Sequence, residues 1–435
     1  MARPTRPPED AVGVLQAPPS ASSDREPVAL DSAWPASSAL RSLRYRSYRY
    51  FWLASLFTFT PWMMQFLVRG WLALQLTGSP LWVGLVAAAF QAPSLVLSFV
   101  GGVLADRFRR RNIVLTNEVV QLAGYLLLTG LFMSHSLDRW SLLLLSLASG
   151  ISFALAMPAR QSMVPRLVPV ADTMNGIVLT NGVFSTAQIV GPALGGVLIG
   201  AWGEGAALLA TAVLALPSPF LLLRVREQRT AERNGEVHSP FQEFLEGMRY
   251  VRGSAVVLAL IALGAAGTMF AMPFQSFMPV FARDLQAGPQ GLGILQGAVG
   301  IGSLAGVVFL SLQKSERPST AVMVGGSLSY GLAVTLFALS PAFWSSVLIA
   351  FTVGVFGTLF LTTNFTMVQL VVPDELRGRV LSIRMVIFGM QPVGQIGGGA
   401  AAEFITTKYA VAMGGLICVA LMLLVLARAP ELRRS

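Results

Sequence analysis

The long apolar stretches of this sequence contain two charged side chains that stand out, Arg69 and Glu118. A guanidinium held among apolar residues can bind an anion, and a carboxylate there can take up and release a proton. A charge at such depth in a membrane costs at least about 2–3 kcal/mol on insertion scales, so a function is the first explanation for each. Structural explanations stay open: Arg69 can reach the surface near Gly78, and Glu118 can pair with the arginines that precede it.

Amide and thioether side chains form a second group that could bind a ligand. Gln65 lies one helical turn before Arg69 and shares its helix face. A buried amide needs hydrogen-bond partners, and a methionine repacks around varied apolar ligands, although it can equally face lipid. The substrate-binding candidates are Gln65, Arg69, Met157, Gln275 and Asn364.

The composition indicates that a lipid bilayer surrounds most of the chain. Of the 435 residues, 54% are hydrophobic and 12% are charged, whereas soluble domains carry about 25% charged residues. This is more apolar surface than an aqueous core can hold, and twelve stretches approach or exceed the ~20 residues that cross hydrocarbon. The predicted spans are 50–76, 82–105, 112–134, 140–159, 175–201, 205–223, 255–282, 290–312, 319–340, 342–366, 380–402 and 409–427.

The distribution of lysine and arginine sets the predicted orientation. With a cytoplasmic N-terminus, 27 of the 31 lysines and arginines fall on the cytoplasmic side, Arg139, Arg283 and Lys408 fall outside, and Arg69 lies within a span. This positive-inside bias predicts a multi-pass protein of the bacterial cytoplasmic membrane with both termini in the cytoplasm. The net charge of +10 is spread over short connections, so no nucleic-acid partner is predicted.

The sequence predicts an all-α membrane protein with two similar halves. Residues 1–40 form a disordered tail, 41–223 and 253–428 two six-helix bundles, 224–252 a cytoplasmic linker with an amphipathic helix, and 429–435 a second tail. Four residues recur 210 positions later, Gln65, Trp71, Gly78 and Leu85 becoming Gln275, Phe281, Gly288 and Leu295. Such parallel repeats are typical of transporters, whose binding site lies near the midplane between the halves.

The segment Gly101–Val114, GGVLADRFRRRNIV, places one aspartate and four arginines in a single connection. The arginines could serve orientation alone, but an aspartate contributes little to orientation. From Gly102 to Arg111 the segment resembles the loop signature of the major facilitator superfamily, with Arg109 where the pattern usually has glycine. Residues 158–169, 191–196 and 372–380 resemble the branch of enterobactin exporters and macrolide-efflux proteins.

The resemblance implies two bundles that rock about a central cleft lined by the first, fourth, seventh and tenth helices, in a monomer. It also implies a gating loop, formed by Gly102, Asp106, Arg107, Arg110 and Arg111. When the inner side closes, Asp106 is expected to cap the eleventh helix, whose start is predicted near 378–381. Gly102 would leave room for the approaching backbone.

The motif GPALGG in the predicted fifth helix resembles the second half of the antiporter signature of drug exporters. Its Gly191, Pro192, Gly195 and Gly196 are expected to pack helices closely and to bend this one. The arginine that many proton antiporters carry early in the fourth helix is missing from WSLLLLSLASG, residues 140–150. Glu118 is the proton-coupling candidate.

These features predict secondary active efflux of amphipathic small molecules of drug, macrolide or siderophore type by alternating access, driven by proton antiport. No Gly-Lys-Ser/Thr loop for ATP binding occurs, and the two histidines lie in predicted loops, so no enzyme, metal or cofactor is predicted. The alternatives are an uptake symporter of the same fold and a non-transporting membrane scaffold or sensor.

Overall fold

The computed structural model describes residues 38–227, 240–313 and 320–428. The predicted tail 429–435, most of the predicted tail 1–40 and part of the predicted linker lie outside these ranges. Helices dominate the described residues and no strand occurs among them, so the prediction of an all-α protein is confirmed. A short 3₁₀ helix, Ser38–Arg44, begins inside the range predicted as the N-terminal tail.

Sixteen α-helices follow in chain order among the described residues. They are α1 Arg46–Thr77, α2 Pro80–Gln91, α3 Pro93–Arg107, α4 Arg110–Met133, α5 Arg139–Leu167, α6 Thr173–Ala215, α7 Pro217–Leu223, α8 Pro240–Gly253, α9 Ala255–Ala266, α10 Phe274–Asp284, α11 Gly288–Leu312, α12 Thr320–Leu339, α13 Phe343–Val371, α14 Asp374–Phe388, α15 Gln391–Ile405 and α16 Thr407–Arg428.

Capping side chains fix several helix starts. Asp138 accepts a hydrogen bond from Ser141 N at 2.8 Å, and the Ser141 hydroxyl reaches back to the Asp138 backbone, which is a capping box at the start of α5. These hydrogen bonds stabilise the charged carboxylate and hold the pKa of Asp138 below its ordinary value. Ser79 caps α2 in the same way through Trp82 N.

Proline and glycine interrupt several of the predicted spans. Pro93 divides the second span into α2 and α3, and Pro392 lies just after the break between α14 and α15. In the seventh span a π-helical turn, Gly267–Ala271, joins α9 to α10. Each proline removes a backbone donor, and each π turn widens the helix locally, so these spans bend near their middles.

Ten stretches are long and apolar enough to cross a membrane among the residues described. One of them, Val170–Leu223, has 54 residues and contains two predicted spans separated by Gly203. Gly203 has a left-handed φ of +83° that ends one helical run and starts another. The eleventh predicted span is divided into α14 and α15, which are 15 residues each and too short to qualify singly. The count of twelve crossings stays a prediction.

Two helix pairs make the most extensive contacts between the halves, α6 with α11 and α2 with α15. In the first pair, a Cβ on Gly196 would lie 2.7 Å from the Pro289 carbonyl oxygen, so only glycine fits there. In the second pair, a Cβ on Gly84 would lie 2.4 Å from the Gln395 carbonyl oxygen. Both contacts bring backbone against backbone, as in tightly packed membrane helices.

The predicted packing motif uses two faces of α6. Gly191 and Gly195 face α1, where a Cβ would meet Met63 and Met64. Gly196 and the Pro192 carbonyl face Gly293 of α11. The motif therefore places α6 between its neighbour in the same half and its partner in the other half.

The two ends of the bundle differ in how the halves meet. At the Glu403 end, marked by Gly78, Arg283 and Glu403, the Arg283 guanidinium donates to the Gly78 carbonyl at 3.3 Å across the halves. At the arginine-rich end, marked by Arg107–Arg111, Asp106 is 79% exposed and contacts Arg110 at 3.5 Å. Nothing lies within 4 Å of a Cβ built on Gly102. The halves therefore meet at the Glu403 end, whereas Asp106 contacts no described side chain of the other half.

The bend at Gly203 predicts that Trp202 and Arg109 lie on opposite sides of the membrane. A membrane-impermeant maleimide should label Trp202→Cys in right-side-out vesicles and Arg109→Cys in inside-out vesicles. The native chain is the control, because its one cysteine, Cys418, is fully buried and should stay unlabelled. Labelling of both variants from the same side would contradict the two crossings assigned to 170–223.

Candidate functional site

A central cavity of about 390 Å³ lies between the two halves. Helices α1, α2 and α6 line it from one half, and α10, α11, α13 and α15 line it from the other. Its wall combines aromatic rings with amide side chains, namely Trp62, Phe66, Phe90, Phe184, Gln91, Gln188, Gln275, Gln296 and Gln391. A mixture of this kind can hold a ligand that is part apolar and part polar.

Trp62 organises the aromatic part of this wall. Its ring stacks on Phe153 of α5 with centroids 4.7 Å apart, and Phe90 and Phe184 lie 5.9 Å and 6.0 Å away. The cluster joins α1, α2, α5 and α6, so any change in how these helices pack reshapes the cavity. Stacked and tilted rings also present flat surfaces to an apolar ligand.

A smaller pocket of about 30 Å³ adjoins the cavity toward the Glu403 end and contains Arg69. The Arg69 side chain is 6% exposed, and its guanidinium donates to the Ser149 hydroxyl at 3.0 Å. Its Nε has no hydrogen-bond partner. Gln65 and Gln275 line the same pocket, so the structure brings three of the five predicted ligand-binding residues together.

The other two predicted ligand-binding residues lie elsewhere. Met157 is half-buried and lines neither the pocket nor the cavity. Asn364 is buried, donates to the Leu260 carbonyl at 2.9 Å and accepts from Arg384 at 2.8 Å. It lines a separate small pocket with Arg384. Arg384 and the α9 backbone satisfy the Asn364 amide in this conformation, and its role in substrate binding stays a prediction.

Glu118 forms a buried ion pair that the sequence analysis missed. Its Oε1 lies 2.5 Å from a terminal nitrogen of Arg160, and both side chains are almost completely buried. Thr58 donates to Glu118 Oε2 at 3.0 Å, and Asn117 donates to its Oε1 at 3.4 Å. The structural alternative of a pair between Glu118 and the loop arginines is therefore wrong, since the partner is Arg160 of α5.

Arg160 reaches several other groups in the same cluster. It donates to the hydroxyls of Ser55 and Thr58, both at 3.0 Å, and its guanidinium lies 5.1 Å from the centre of the Phe59 ring. The sequence analysis ended the fourth span at residue 159 and counted Arg160 among the cytoplasmic arginines, whereas α5 continues to Leu167. Arg384 was likewise counted as cytoplasmic, although the predicted span 380–402 contains it; it lies within α14, where its guanidinium is 4.5 Å from the centre of the Phe365 ring.

The residues of the predicted gating loop make different contacts in this conformation. Arg111 donates to the carbonyls of Leu222 and Leu223, at 3.0 Å and 2.6 Å, and so caps the last turn of α7. Arg107 and Asp106 are exposed, and Arg110 contacts Asp106. Among the side chains that the structure describes, Asp106 contacts Arg110 and none of the eleventh span.

The eleventh span begins with α14 at Asp374, four residues before the predicted start. The reason is Pro373, which precedes α14 directly. A residue before a proline prefers an extended backbone, which Val372 has with φ −85° and ψ 128°. The preceding helix therefore ends there, and a new helix starts immediately after the proline.

At the Glu403 end, a carboxylate contacts a helix start. Glu403, in the last turn of α15, accepts hydrogen bonds from the Ser79 hydroxyl and, at 3.4 Å, from Leu81 N. Ser79 is the N-cap of α2, and Leu81 lies in its first turn. The carboxylate therefore meets the positive end of the α2 dipole. In the residues the structure covers, no group of three or more possible metal ligands occurs.

A family model described as a transmembrane secretion effector matches residues 37–434. The chain is 26% identical to the multidrug efflux pump Tap of Mycolicibacterium fortuitum, over 77% of this chain and 83% of that protein. It is 28% identical to the enterobactin exporter EntS of Escherichia coli O1:K1, over 83% of this chain and 84% of that protein. Among solved structures, the nucleoside transporter NupG superposes with a TM-score of 0.70 at 14% identity, over 88% of this chain and 98% of NupG.

Removing one member of the Glu118–Arg160 pair is expected to destabilise the protein strongly. Arg160→Met leaves a buried carboxylate without its cation, at a cost of about 3–5 kcal/mol. The double variant Glu118→Gln/Arg160→Met should recover part of that loss, and thermal unfolding in detergent measures both. Arg166→Met is the control, because Arg166 forms only a surface contact with Glu227 at 3.7 Å. A double variant no more stable than Arg160→Met would contradict the pairing.

Proposed function

The chain belongs to the major facilitator superfamily through its transmembrane secretion effector family, and from this premise we propose that it exports amphipathic small molecules in exchange for protons. The observation that carries the proposal is the central cavity between the halves. Its volume of about 390 Å³ falls within the range of about 300–1,000 Å³ that small-molecule sites occupy. Two similar proteins, Tap and EntS, bear the names of exporters of a drug and of a siderophore.

The arginine-rich end is assigned to the cytoplasm by the positive-inside rule. With that orientation the protein lies in the cytoplasmic membrane, with its outer side sealed at the Glu403 end and its inner side free of the Asp106 contact. This conformation would admit a ligand from the cytoplasm, which is the first step of an export cycle.

Alternating access follows from two carboxylates at opposite ends of one antiparallel helix pair. Glu403, near the end of the eleventh span, holds the start of the second span in this conformation. Asp106 lies at the equivalent place, near the end of the second span, and is free to reach the start of α14. Each contact joins a charge to a helix N-terminus. The two contacts would form in alternation, one sealing the outer side and the other the inner side.

Proton coupling is assigned to Glu118. In the charged form Glu118 holds Arg160, and Thr58 links both to Ser218 of α7 at 3.0 Å, so one cluster connects α1, α4, α5 and α7. A proton on Glu118 would remove the negative charge from this cluster and release the Arg160 guanidinium. Gln121, one turn away in α4, donates to the Ser149 carbonyl at 3.0 Å, and the Ser149 hydroxyl contacts Arg69. The proton site is therefore connected to the ligand pocket through α4 and α5.

Energised inside-out vesicles test the direction and the coupling together. A panel of dyes, macrolides and catecholates should include compounds that the vesicles accumulate, and a protonophore should abolish the accumulation. Glu118→Gln should lower the proton-driven accumulation by about tenfold or more, as expected when a proton carrier is removed. It should leave ligand binding in place, because the amide still accepts from Thr58. Asp284→Asn is the control, since Asp284 is an exposed acid that contacts its neighbour Arg283.

Three outcomes would overturn parts of this function. Accumulation that persists with the protonophore would exclude proton coupling. Accumulation only in right-side-out vesicles would favour an uptake symporter. Glu118→Gln accumulation equal to that of the parent protein would remove Glu118 as the carrier.

The two helix-capping carboxylates should act in opposite directions. Spin labels at Gln75 and Lys408 report the Glu403 end, and labels at Arg109 and Gly378 report the arginine-rich end, with Cys418 replaced by serine. Glu403→Gln should widen the first pair, and Asp106→Asn should widen the second. Each shift should be about fivefold in population, as expected for about 1 kcal/mol of lost helix-terminus interaction. Asp138→Asn serves as control, because Asp138 caps α5 within one half, and unchanged distances in either variant would rule out that carboxylate as a gate.

A further inference from the structure

Three arginines of the described helices, Arg69 and Arg160, which are buried, and Arg384, which is half-buried, differ in what satisfies them. Arg160 has a carboxylate, Glu118, at 2.5 Å. Arg384 donates to Asn364 and to the Leu361 carbonyl and lies over Phe365. Arg69 has the hydroxyl of Ser149 and no acidic residue in contact among the described residues, and its Nε is unpartnered. A buried cation without a counter-charge is costly, so Arg69 is the one whose partner is missing from the chain.

We propose that the pocket around Arg69 binds the acidic end of the exported molecule, a carboxylate or similar oxyanion that carries a neighbouring hydroxyl. This inference rests on the proposed function and narrows its substrate class. A guanidinium matches a planar oxyanion through parallel hydrogen bonds, and such charge-assisted bonds are about twice as strong as neutral ones. The anion would supply the counter-charge that the chain itself does not provide.

The amide groups that surround Arg69 indicate that the ligand also carries a hydroxyl group. Gln65 is 1% exposed, and neither its amide nitrogen nor its amide oxygen has a partner. The Oε1 atoms of Gln121 and Gln296 are also buried without a donor. Buried polar groups are nearly always satisfied, so these acceptors call for donors on the ligand. An anionic oxygen beside a hydroxyl presents both kinds of group to the pocket.

The shape of the site indicates where the rest of the molecule lies. The Arg69 pocket is only about 30 Å³, which is room for a small head group. Trp62, Phe66, Phe90, Gln275 and Gln296 line both this pocket and the central cavity, so the two spaces adjoin. The apolar body of the ligand would therefore lie in the cavity against the Trp62 cluster, with its acidic end toward the sealed Glu403 end.

The same geometry gives a route for release. Gln65, Arg69 and Gln121 belong to the N-terminal half, whereas Gln275 and Gln296 belong to the C-terminal half. A head group between them bridges the halves at the end that must open outward. Opening that end would separate α1 from α10 and α11 and divide the site, which lowers the affinity as the ligand meets the outer solution.

Binding of matched naphthalene probes to the purified full chain in detergent tests the proposal. The probes are 3-hydroxy-2-naphthoic acid, its carboxamide, and 2-naphthoic acid. Binding of each probe is measured by quenching of tryptophan fluorescence, at a pH where both acids are ionised. The parent protein should bind the hydroxy acid about tenfold more tightly than the carboxamide. Arg69→Gln should erase this preference while leaving carboxamide affinity within about twofold, which also shows that the variant is folded.

Two further variants keep the test specific. Arg69→Lys retains the charge and should keep part of the preference for acids, whereas the surface variant Arg139→Gln should keep all of it. Gln121→Leu should reduce the advantage of the hydroxy acid over 2-naphthoic acid. Equal loss of acid and carboxamide binding in Arg69→Gln, or an acid preference that survives it, would overturn the proposal.

These binding measurements are independent of transport. Acid-selective binding without any accumulation in vesicles would leave the pocket assignment standing and reject export. Accumulation of amphipathic compounds with no acid preference would reject the pocket assignment and leave export standing.

Discussion

The compensation of charge inside an apolar bundle is the constraint on which this structure depends. Glu118 and Arg160 neutralise each other in the N-terminal half, and the hydroxyls of Ser55, Thr58 and Ser218 complete the cluster. Because the pair lies far from water, its geometry also determines how four helices of that half pack. Under the proposed proton coupling, a proton on Glu118 would change this packing as well as the charge, so that one chemical event would move helices.

The two halves have similar folds but contribute different polar groups to the interior. The N-terminal half holds the ion pair and Arg69, whereas the half-buried Arg384 of the C-terminal half is held by an amide and a backbone carbonyl. The C-terminal half contributes amides and a flexible seventh span, in which a π turn separates α9 from α10. The ligand pocket lies where these contributions meet. Neither half could therefore form the site alone, and the site exists only while the halves touch at the Glu403 end.

The sequence could predict the features that depend on composition and order. Low charge, apolar runs and the bias of arginines indicate the membrane class. Gln65 and Arg69 were predicted to share a helix face, and Gln275 was predicted to bind the substrate as they do. Arg160 and Arg384 were counted as cytoplasmic because each is near a span boundary, where a charged residue is usually assigned to the connecting segment. Whether such an arginine lies inside a span or in a connection depends on a partner that is distant in sequence, which no local pattern reveals. The partner is Glu118 for Arg160 and Asn364 for Arg384. Likewise, the bend at Gly203 and the early start of α14 depend on backbone angles at single residues.

The contact between α6 and α11 has a mechanical consequence. Gly196 and Gly293 let the two backbones touch five residues after the start of α11, toward the Glu403 end. Two helices in contact through their backbones can rotate against each other, so the halves can rotate about this contact. A rotation of a few degrees then moves the distant helix ends by several ångströms, while the contact between α6 and α11 loses almost no area. In the proposed cycle, the charges at the helix tips, Glu403 and Asp106, would then weigh most on which end is closed.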